Sequence, residues 1–448
     1  MYKTWSTRIA TWAATVLLFK GLLVLPAKAA DERPPNIVVI MADDMGYADT
    51  SVLEGWINTP QLDRMAAEGM YFTDFHSNGA VCSPTRAAFM TGRYQQRAGI
   101  GGVINADPSV GSHRQGLDPS EVTFSRLLKD HGYATALFGK WHLGYAETFH
   151  PLHHGFDEFR GFISGNVDYI SHYDRMGKFD WWNGAREIDD EGYVTHLLTD
   201  YSTDFIRRHR DRPFCLYVAH AAPHFPYQAP DDKPERGPEA TKPSSQRSQK
   251  DTYEIMIQEM DKGIGEILDT LQELGIDENT LVFFFSDNGG AKPWANHPLK
   301  GGKGQITEGG HRVPAVAWWP GKIEPGQRSD EIVVGFDLMP TMLDLANVAV
   351  PEGHSLDGIS LTPHLLRGEA LPLRQIFWGR GGVAMREGSW KLIQRGQIQL
   401  YNLDDDLGEA NNIASEHPER VVSMQAAIAE WREDVARDRG RRTSSGSN

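Results

Sequence analysis

Asn36-Ile-Val-Val-Ile-Met-Ala42, followed at once by Asp43-Asp44, is the stretch that most clearly indicates the fold. The run is apolar, rich in β-branched residues and without polar alternation, which is typical of a strand buried on both faces. Similar runs recur at 133–138, 214–219, 281–285 and 313–319. Apolar spacing and helix-start residues predict helices over 119–131, 256–274 and 337–346. Strands alternating with helices predict an α/β fold with a large, mostly parallel sheet flanked by helices.

The C-terminal part of the chain has a different pattern. Short strand-like runs separated by turn residues lie at 375–378, 382–385, 390–394 and 398–401. A helix with one apolar face follows, from Val421 to Val435, so this part predicts a small antiparallel sheet with one packed helix. The predicted organisation is a signal segment at 1–29, a main domain that would carry a catalytic site at 30–360, a linker at 361–373, a C-terminal subdomain at 374–438 and a disordered tail at 439–448.

The first 29 residues have the features of a secretory signal peptide, with basic Lys3 and Arg8, an apolar stretch and an Ala27-Lys28-Ala29 cleavage site. Lys20 interrupts the apolar stretch, which is too short for a stable membrane anchor. We therefore expect export, either to the periplasm or as a secreted protein. Cleavage would remove four basic residues and no acid and change the formal charge from −15 to −19, which argues against a nucleic-acid partner.

Cys82-Ser-Pro-Thr-Arg86, continuing to Thr91-Gly92-Arg93, is the most distinctive short motif. If a helix starts near Pro84, Arg86 lies one turn on, and the helix N-terminus and the guanidinium both favour an anion. The simpler interpretation is a buried structural cysteine, and a tyrosine phosphatase loop would need Cys-x5-Arg where this chain has Cys-x3-Arg. The second cysteine, Cys215, falls in a predicted buried strand, so no disulfide is expected.

Polar residues follow directly on four of the predicted strands. They are Asp43 and Asp44, Lys140 and His142, His220 and His224, and Asp287 and Asn288. Because the site of an open α/β sheet lies beyond the carboxyl ends of its strands, these side chains should meet in one crevice. The acidic and amide pairs offer only oxygen ligands, which suits Ca²⁺ or Mg²⁺, although one such pair alone would more simply be a helix cap or an Asx turn. Lysine among the histidines argues against zinc.

A glycine-rich segment, Lys300-Gly-Gly-Lys303-Gly, adds further positive charge. Glycines let a backbone approach a ligand closely, but glycine-rich loops that contain lysine are common. On spacing alone, either Lys300 or Lys303 could be the functional residue.

Together these segments resemble the type I sulfatase family. The matching segments lie in the family's order and cover most of the chain, at 36–47, 82–93, 139–144, 222–226, 286–290, 302–314 and 400–412. The resemblance implies the fold of alkaline phosphatase and the activity of a sulfatase, with a layout similar to the arylsulfatase A and N-acetylgalactosamine-6-sulfatase types. A further family serine is either Ser164 or Ser171, and the sequence does not decide between the two.

The resemblance also implies roles for individual residues. Cys82 is expected to become formylglycine (3-oxoalanine) through a formylglycine-generating or anaerobic maturation enzyme. Arg86 and His142 would hold the hydroxyls of the hydrated aldehyde, and the implied sulfate-binding residues are Lys140, His224 and Lys303. The implied metal ligands, with Ca²⁺ as the usual ion and Mg²⁺ as the alternative, are Asp43, Asp44, Asp287, Asn288 and the modified Cys82.

The implied chemistry explains why a cysteine is modified. A hydrated aldehyde has two geminal hydroxyls. One attacks sulfur, and the second loses its proton so that C–O cleavage releases sulfate and regenerates the aldehyde. A serine or thiol lacks that second hydroxyl. The nearest alternative is a phosphonate or phosphate monoester hydrolase of the same superfamily, and a different class is a non-catalytic glycan-binding protein with the same fold, which the intact motif and metal set argue against.

The substrate is less clear from the sequence than the reaction. A sulfated glycan is expected from the resemblance. An aromatic insert could line a carbohydrate pocket by stacking, or could be ordinary core, and it contains Tyr169, His172, Tyr173, Trp181 and Trp182.

Overall fold

The structure is a computed structural model that describes residues 1–2, 33–242 and 247–445, with side chains as far as residue 437. The predicted signal segment lies almost wholly outside these ranges. The strands of the described residues are β1 Asn36–Ala42, β2 Met70–Phe72, β3 Phe75–His76, β4 Ala134–Lys140, β5 Glu158–Phe162, β6 Trp182–Asn183, β7 Arg186–Glu187, β8 Phe214–Ala219, β9 Thr280–Ser286, β10 Ala315–Trp318, β11 Gln327–Ser329, β12 Val333–Val334, β13 Gln375–Gly379, β14 Val383–Glu387, β15 Trp390–Arg395 and β16 Gln397–Asn402. The helices are α1 Pro60–Ala67, α2 Cys82–Thr91, α3 Phe124–Asp130, α4 Val194–His209, α5 Gln249–Glu273, α6 Glu308–His311, α7 Leu338–Leu345, α8 Thr362–Arg367 and α9 Pro418–Ser445.

The main sheet contains ten strands in the order β11-β2-β10-β9-β1-β8-β4-β5-β6-β7. Its centre is parallel, since β1 pairs with β8 and β9, and β4 pairs with β8 and β5, in parallel register. Towards the edges β10 runs antiparallel to β9 and to β2, and β6 antiparallel to β5. The expectation of a large, mostly parallel sheet with flanking helices is confirmed.

Helices cover both faces of this sheet. Successive residues of β1 point to opposite faces, so Val39 belongs to one core with Phe89 of α2, whereas Val38 belongs to the other core with Met256 of α5. All seven residues of β1 are buried, as the unbroken apolar run predicted. The layers hold the carboxyl ends of β1, β8 and β9 side by side, which positions the residues that follow them.

One helix begins later than predicted. The expected helix over 119–131 starts at Phe124, where the Thr123 side chain accepts from the backbone N–H of Arg126. The preceding residues form a turn instead, in which the Asp118 side chain accepts from the backbone N–H of Ser120 and the Asp118 carbonyl accepts from that of Glu121. Aspartate side chains compete for nearby backbone donors in this way, which delays the start of a helix.

The C-terminal part forms the predicted four-stranded antiparallel sheet, in the order β13-β14-β15-β16. Helix α9 packs on it through its apolar face, where the Trp431 ring stacks on Phe377 with centroids 5.1 Å apart. The backbone of α9 is helical to Ser445 and so extends into the segment 439–448, for which the sequence predicts a disordered tail. The predicted linker at 361–373 contains α8. The described residues from Arg33 onward form one compact unit.

Of the helices in the described ranges, none combines the length and the apolar character that a bilayer-spanning segment requires. Both cysteines, Cys82 and Cys215, are buried and unpaired.

Candidate active site

The carboxyl ends of β1 and β9 bring two acidic residues together, as expected for parallel neighbours. Ala42 lies opposite Ser286 in the register, and Asp287 donates its backbone N–H to the carbonyl of Ala42 over 3.0 Å. The Asp43 backbone N–H donates to the carbonyl of Ala222, just beyond β8, over 2.9 Å. Both aspartate side chains are fully buried. The three strand ends are thus tied by backbone hydrogen bonds, which fixes where the two carboxylates point.

Asp44 turns the chain at the end of β1. Its φ of 69° is left-handed, a conformation that aspartate tolerates better than most residues. Its backbone N–H donates to Asp287 Oδ1 over 3.3 Å, and its carboxylate accepts from Asn288 Nδ2 over 2.7 Å. Asp43 and Asp44 therefore present adjacent carboxylates to one point, together with Asp287 and Asn288.

Cys82 is the first residue of α2, a helix whose ten residues are all buried. Its sulfur lies 3.4 Å from Asp43 Oδ1. One ligand atom from each of four residues lies within 4.8 Å of the others, and these residues are Asp43, Asp44, Cys82 and His224. Burial and the Asp287 and Asp43 carboxylates raise the pKa of the Cys82 thiol to about 12. The unmodified side chain is therefore a thiol, not a thiolate, near neutral pH.

Arg86 lies one turn into α2, as predicted, and is fully buried. Its Nε and Nη2 donate to Asp287 Oδ2 over 3.1 and 2.8 Å, and its Nη1 donates to the carbonyl of Lys140 over 3.1 Å. Nη1 also lies 3.3 Å from the Tyr217 hydroxyl. The guanidinium thus connects the Cys82 helix to β4, β8 and the end of β9.

Two lysines, Lys140 and Lys303, contact the aspartates of the site, whereas Lys300 does not. Lys140 Nζ lies 2.5 Å from Asp43 Oδ2, with both side chains fully buried. Lys303 Nζ lies 2.6 Å from Asp44 Oδ1 and 3.5 Å from Cys82 Sγ. Lys300 Nζ instead donates to the carbonyl of Glu409 over 2.6 Å. Of the two lysines that spacing left open, Lys303 is the one at the site.

The histidines divide into two groups. His142 donates through Nε2 to the carbonyl of Ile104 over 2.9 Å, while its Nδ1 is buried and has no hydrogen-bond partner among the described residues. His224 Nε2 lies 3.6 Å from Asp44 Oδ2. His220 is buried, with neither ring nitrogen bonded to a described residue, and lies outside the group of close ligand atoms. His224 contacts a carboxylate of the site, and His142 lies close enough to Lys140 and Arg86 for their charges to lower its pKa, whereas no contact with a described residue brings His220 into the site.

The charges of the site are strongly coupled. Burial alone would raise the pKa of Asp44, but the Lys303 charge and the hydrogen bonds from Lys303 and Asn288 hold it well below its usual range. Burial and Asp43 raise the pKa of Asp287 to about 6. Burial and Lys303 lower the pKa of His224 to about 3, and burial and Lys140 lower that of His142 well below its usual range. The two histidines are therefore neutral, and Asp44 is ionised.

The donor set fits a hard divalent cation. Asn288 uses its Nδ2 for Asp44 and for the carbonyl of Gly289, but its Oδ1 is buried and has no partner among the described residues. A buried acceptor without a partner is costly unless it binds something. An amide oxygen beside three buried carboxylates matches the ligands that Ca²⁺ and Mg²⁺ prefer.

Some site residues were not found from the sequence. Tyr217 contacts Arg86 from within β8, where it looked like one more apolar strand residue. Asn296 holds Gly290, two residues after Asn288, by two hydrogen bonds of 2.8 and 2.9 Å. Of the two candidates for the further family serine, Ser164 precedes Gly165, which is packed so closely that an added Cβ would lie 2.7 Å from His142 Nε2.

The interpretation of the aromatic insert as a carbohydrate pocket is wrong for its three buried members. Tyr169, His172 and Trp181 are at most 2% exposed. The rings of His172 and Trp181 stack on each other with centroids 4.3 Å apart, and Tyr169 stacks on Tyr193. These side chains fill the core between the insert and the sheet, so they cannot stack on a sugar.

The sequence of the chain is similar to those of known sulfatases. The profile of the Sulfatase family matches residues 35–348. The chain is 39% identical over 379 residues to N-acetylgalactosamine-6-sulfatase of Homo sapiens, covering 79% of this chain and 70% of that protein. It is 33% identical over 451 residues to arylsulfatase A of Bos taurus, covering 91% and 83%.

The solved structures agree with the sequence relatives. The crystal structure of Ps i-CgsB in complex with k-i-k-neocarrahexaose has a TM-score of 0.81 and 30% identity, over 89% of this chain and 93% of that chain. The phosphonate monoester hydrolase of Agrobacterium radiobacter has a TM-score of 0.66 and 21% identity, over 90% and 96%, and so shares the fold. The chain belongs to the sulfatase family and is a sulfuric ester hydrolase.

Proposed function

We propose that this protein hydrolyses sulfate esters of carbohydrates and that residue 82 is its reacting residue. In the active enzyme Cys82 would be converted to formylglycine, and a divalent cation would bind beside it. The observation that carries the proposal is the position of Cys82 at the N-terminus of α2, with Asp43, Asp44 and His224 atoms within 4.8 Å and Lys303 Nζ at 3.5 Å. Carboxylates for a cation and ammonium groups for an anion meet at this one residue.

We propose that the cation is Ca²⁺, with Mg²⁺ as the alternative. When bound, it supplies a Lewis acid that favours a hydroxyl nucleophile and neutralises sulfate oxygens. The Oδ1 atom of Asn288 supports this assignment, because it is buried and has no hydrogen-bond partner among the described residues. The residues that would hold the ion are Asp43, Asp44, Asp287, Asn288 and the modified residue 82.

Lys303, Lys140 and His224 are proposed to bind the sulfate group. Lys303 is the best supported, since its ammonium already lies beside both Cys82 and Asp44. Fixed donors that meet developing negative charge in a buried site stabilise a transition state strongly. Arg86 is proposed to hold Asp287 in place, because its guanidinium donates two hydrogen bonds to that carboxylate.

His142 is proposed to accept a proton from a hydroxyl of residue 82. Its Nε2 donates to the Ile104 carbonyl, so a neutral ring has its lone pair on Nδ1. That nitrogen is buried without a described partner. Burial and Lys140 keep the ring neutral, which leaves Nδ1 able to accept.

We also propose a sulfated saccharide as the substrate, maturation by a formylglycine-generating or anaerobic enzyme, and export. The names of the relatives support the first of these, since one is named N-acetylgalactosamine-6-sulfatase and a solved neighbour is a complex with k-i-k-neocarrahexaose. Export is supported by the signal-like first 29 residues.

A rate comparison tests the proposal. We expect matured protein to cleave an aryl sulfate with a much higher kcat/KM than an aryl phosphonate, and a panel of sulfated mono- and oligosaccharides to include a better substrate than either. Cys82→Ala is the control and should be inactive on all of them. A preference for the phosphonate would refute the assignment of a sulfate ester substrate.

A further inference from the structure

A buried glutamate of the C-terminal segment contacts both ends of the loop that carries Lys303. Glu409 Oε2 accepts from the backbone N–H of Glu308 over 2.7 Å. Its backbone carbonyl accepts from Lys300 Nζ over 2.6 Å. Lys300 and Glu308 flank Lys303 in sequence, so one residue more than a hundred positions away holds the loop on either side of the lysine.

The two ends of this loop are also joined to each other. The backbone N–H of Gly309 donates to the carbonyl of Lys300 over 2.9 Å, and an added Cβ at Gly309 would lie 2.6 Å from the Gly301 carbonyl oxygen. The middle of the loop is held separately, since Lys303 donates its N–H to the carbonyl of Gly290 over 3.1 Å. The loop is therefore closed and tightly packed, and Glu409 lies at its base.

The environment of Glu409 shows that its position is itself fixed. It is fully buried and has a φ of 51°, a left-handed conformation that persists in non-glycine residues where the surroundings hold it. Its Oε1 lies 2.9 Å from Lys391 Nζ, and the same ammonium lies 2.8 Å from Glu308 Oε1. Lys391 belongs to β15, so the small sheet anchors both glutamates.

We propose that Glu409 is a positioning residue for the reaction, which holds the loop so that the Lys303 ammonium stays beside Cys82 and Asp44. The inference rests on the proposed role of Lys303 in sulfate binding. It gives the C-terminal sheet a part in the chemistry of the main domain, through Lys391, Glu409 and the loop. It also explains why Lys300 is present, as an anchor of the loop and not as a sulfate ligand.

A double-mutant cycle on matured enzyme tests this inference, with kcat/KM for an aryl sulfate as the readout. Glu409→Gln places an amide N–H₂ where the carboxylate meets Lys391 or Glu308, so one of the two contacts is lost. We expect Glu409→Gln to lower kcat/KM about tenfold in the wild-type background. In the Lys303→Ala background it should lower kcat/KM less than about twofold, because residues that act through one another are not additive.

Asp337→Asn is the matched control. Asp337 is equally buried, accepts from the backbone N–H of Val334 over 2.8 Å and pairs with Arg374, but it does not contact the Lys303 loop. Any loss that it causes should be the same factor in both backgrounds. Should Glu409→Gln fold poorly, Lys300→Met removes one contact of the same base and should show the same non-additivity.

The outcomes separate the two proposals. An equal loss from Glu409→Gln in both backgrounds, or no loss in either, would overturn the positioning role while leaving Lys303 as a sulfate ligand. Full activity of Lys303→Ala would instead refute the sulfate-binding assignment in the proposed function, and the positioning role with it.

Discussion

Lys303 Nζ lies 3.5 Å from Cys82 Sγ. The contact joins two parts of the chain that are far apart in sequence, the N-terminus of α2 and the glycine-rich loop before α6. It places a cation at the residue where sulfate ester hydrolysis is proposed, while the Asp44 carboxylate holds the same ammonium at 2.6 Å. A lysine held in this way acts as a fixed positive charge for an incoming anion.

Replacement of the two loop lysines should therefore have unequal effects. Lys303→Ala removes the charge beside Cys82, and we expect kcat/KM for a sulfate ester to fall roughly a hundredfold or more. Lys300→Ala removes an anchor of the loop and should lower kcat/KM by at most about tenfold. Steady-state kinetics of both variants measures this. A larger loss in Lys300→Ala would mean that the wrong lysine has been assigned to sulfate.

Removal of the metal should lower both activity and stability. Chelation should abolish turnover and Ca²⁺ should restore it. At a free Ca²⁺ concentration of about 100 times its dissociation constant, the folded protein should gain about 2.7 kcal/mol, or about 3 °C in the midpoint of thermal unfolding. The thermal shift is measured independently of activity.

Two asparagines provide the control for the metal site. Asn288→Ala should weaken the Ca²⁺-dependent thermal shift, since it removes a proposed ligand oxygen. Asn296→Ala should leave the shift in place, because Asn296 Oδ1 already accepts from the backbone of Gly290. Equal shifts in both variants would contradict the assignment of Asn288 as a ligand, and full activity with stoichiometric zinc would contradict the choice of a hard cation.

Loss of a buried arginine should destabilise the fold much more than loss of an exposed one. Arg86→Met leaves Asp287 buried without its main partner, which we expect to cost about 3 kcal/mol or more. Arg208→Met breaks exposed ion pairs with Glu158 and Asp204 and should cost less than about 1 kcal/mol. Urea unfolding followed by circular dichroism compares the two variants, and similar costs would show that the Arg86 contacts contribute little.

A buried histidine outside the active site should make stability depend on pH. His154 has no exposed surface and neither ring nitrogen has a described partner; burial, with a smaller effect of Arg126, lowers its pKa to about 3. The unfolded chain binds that proton near pH 6.5, so stability is present above this pH and is lost as the pH falls towards 3. Between pH 7 and pH 5, this one group should lower the free energy of unfolding by about 2 kcal/mol.

Replacement of His154 tests that expectation. His154→Phe should make the free energy of unfolding less dependent on pH over this range, since the ring no longer titrates. His153→Gln, at the exposed neighbouring position, should leave the dependence unchanged. If the two variants lose stability equally between pH 7 and pH 5, the dependence does not come from His154.

The sheet and most of the site could be predicted because both depend on local patterns. A strand buried on both faces is an unbroken apolar run, and the topology of parallel strands brings their ends together, so Asp43 and Asp287 were predicted to meet. The features that the sequence does not predict depend on contacts between residues that are far apart in the chain. Nothing near Glu409 in sequence shows that it holds Lys300 and Glu308, and the spacing of the glycine-rich loop could not show which lysine turns inward.

The aromatic insert shows a different limit. Rings that would suit a sugar also suit a core, and composition does not say whether Trp181 is exposed. The structure stacks the Trp181 ring on the rings of Phe162 and His172, within the core. Whether an aromatic residue can bind a sugar therefore depends on the solvent exposure of its side chain, which the sequence does not provide.

The chemical state of residue 82 in active enzyme is the most direct test of the proposed mechanism. Protein matured in a host with a formylglycine-generating or anaerobic maturation enzyme should be digested, and the peptide that contains residue 82 should be examined by mass spectrometry with and without an aldehyde-reactive probe. We predict loss of the thiol mass and reaction with the probe, in proportion to specific activity. An unmodified Cys82 thiol in fully active enzyme would contradict the account.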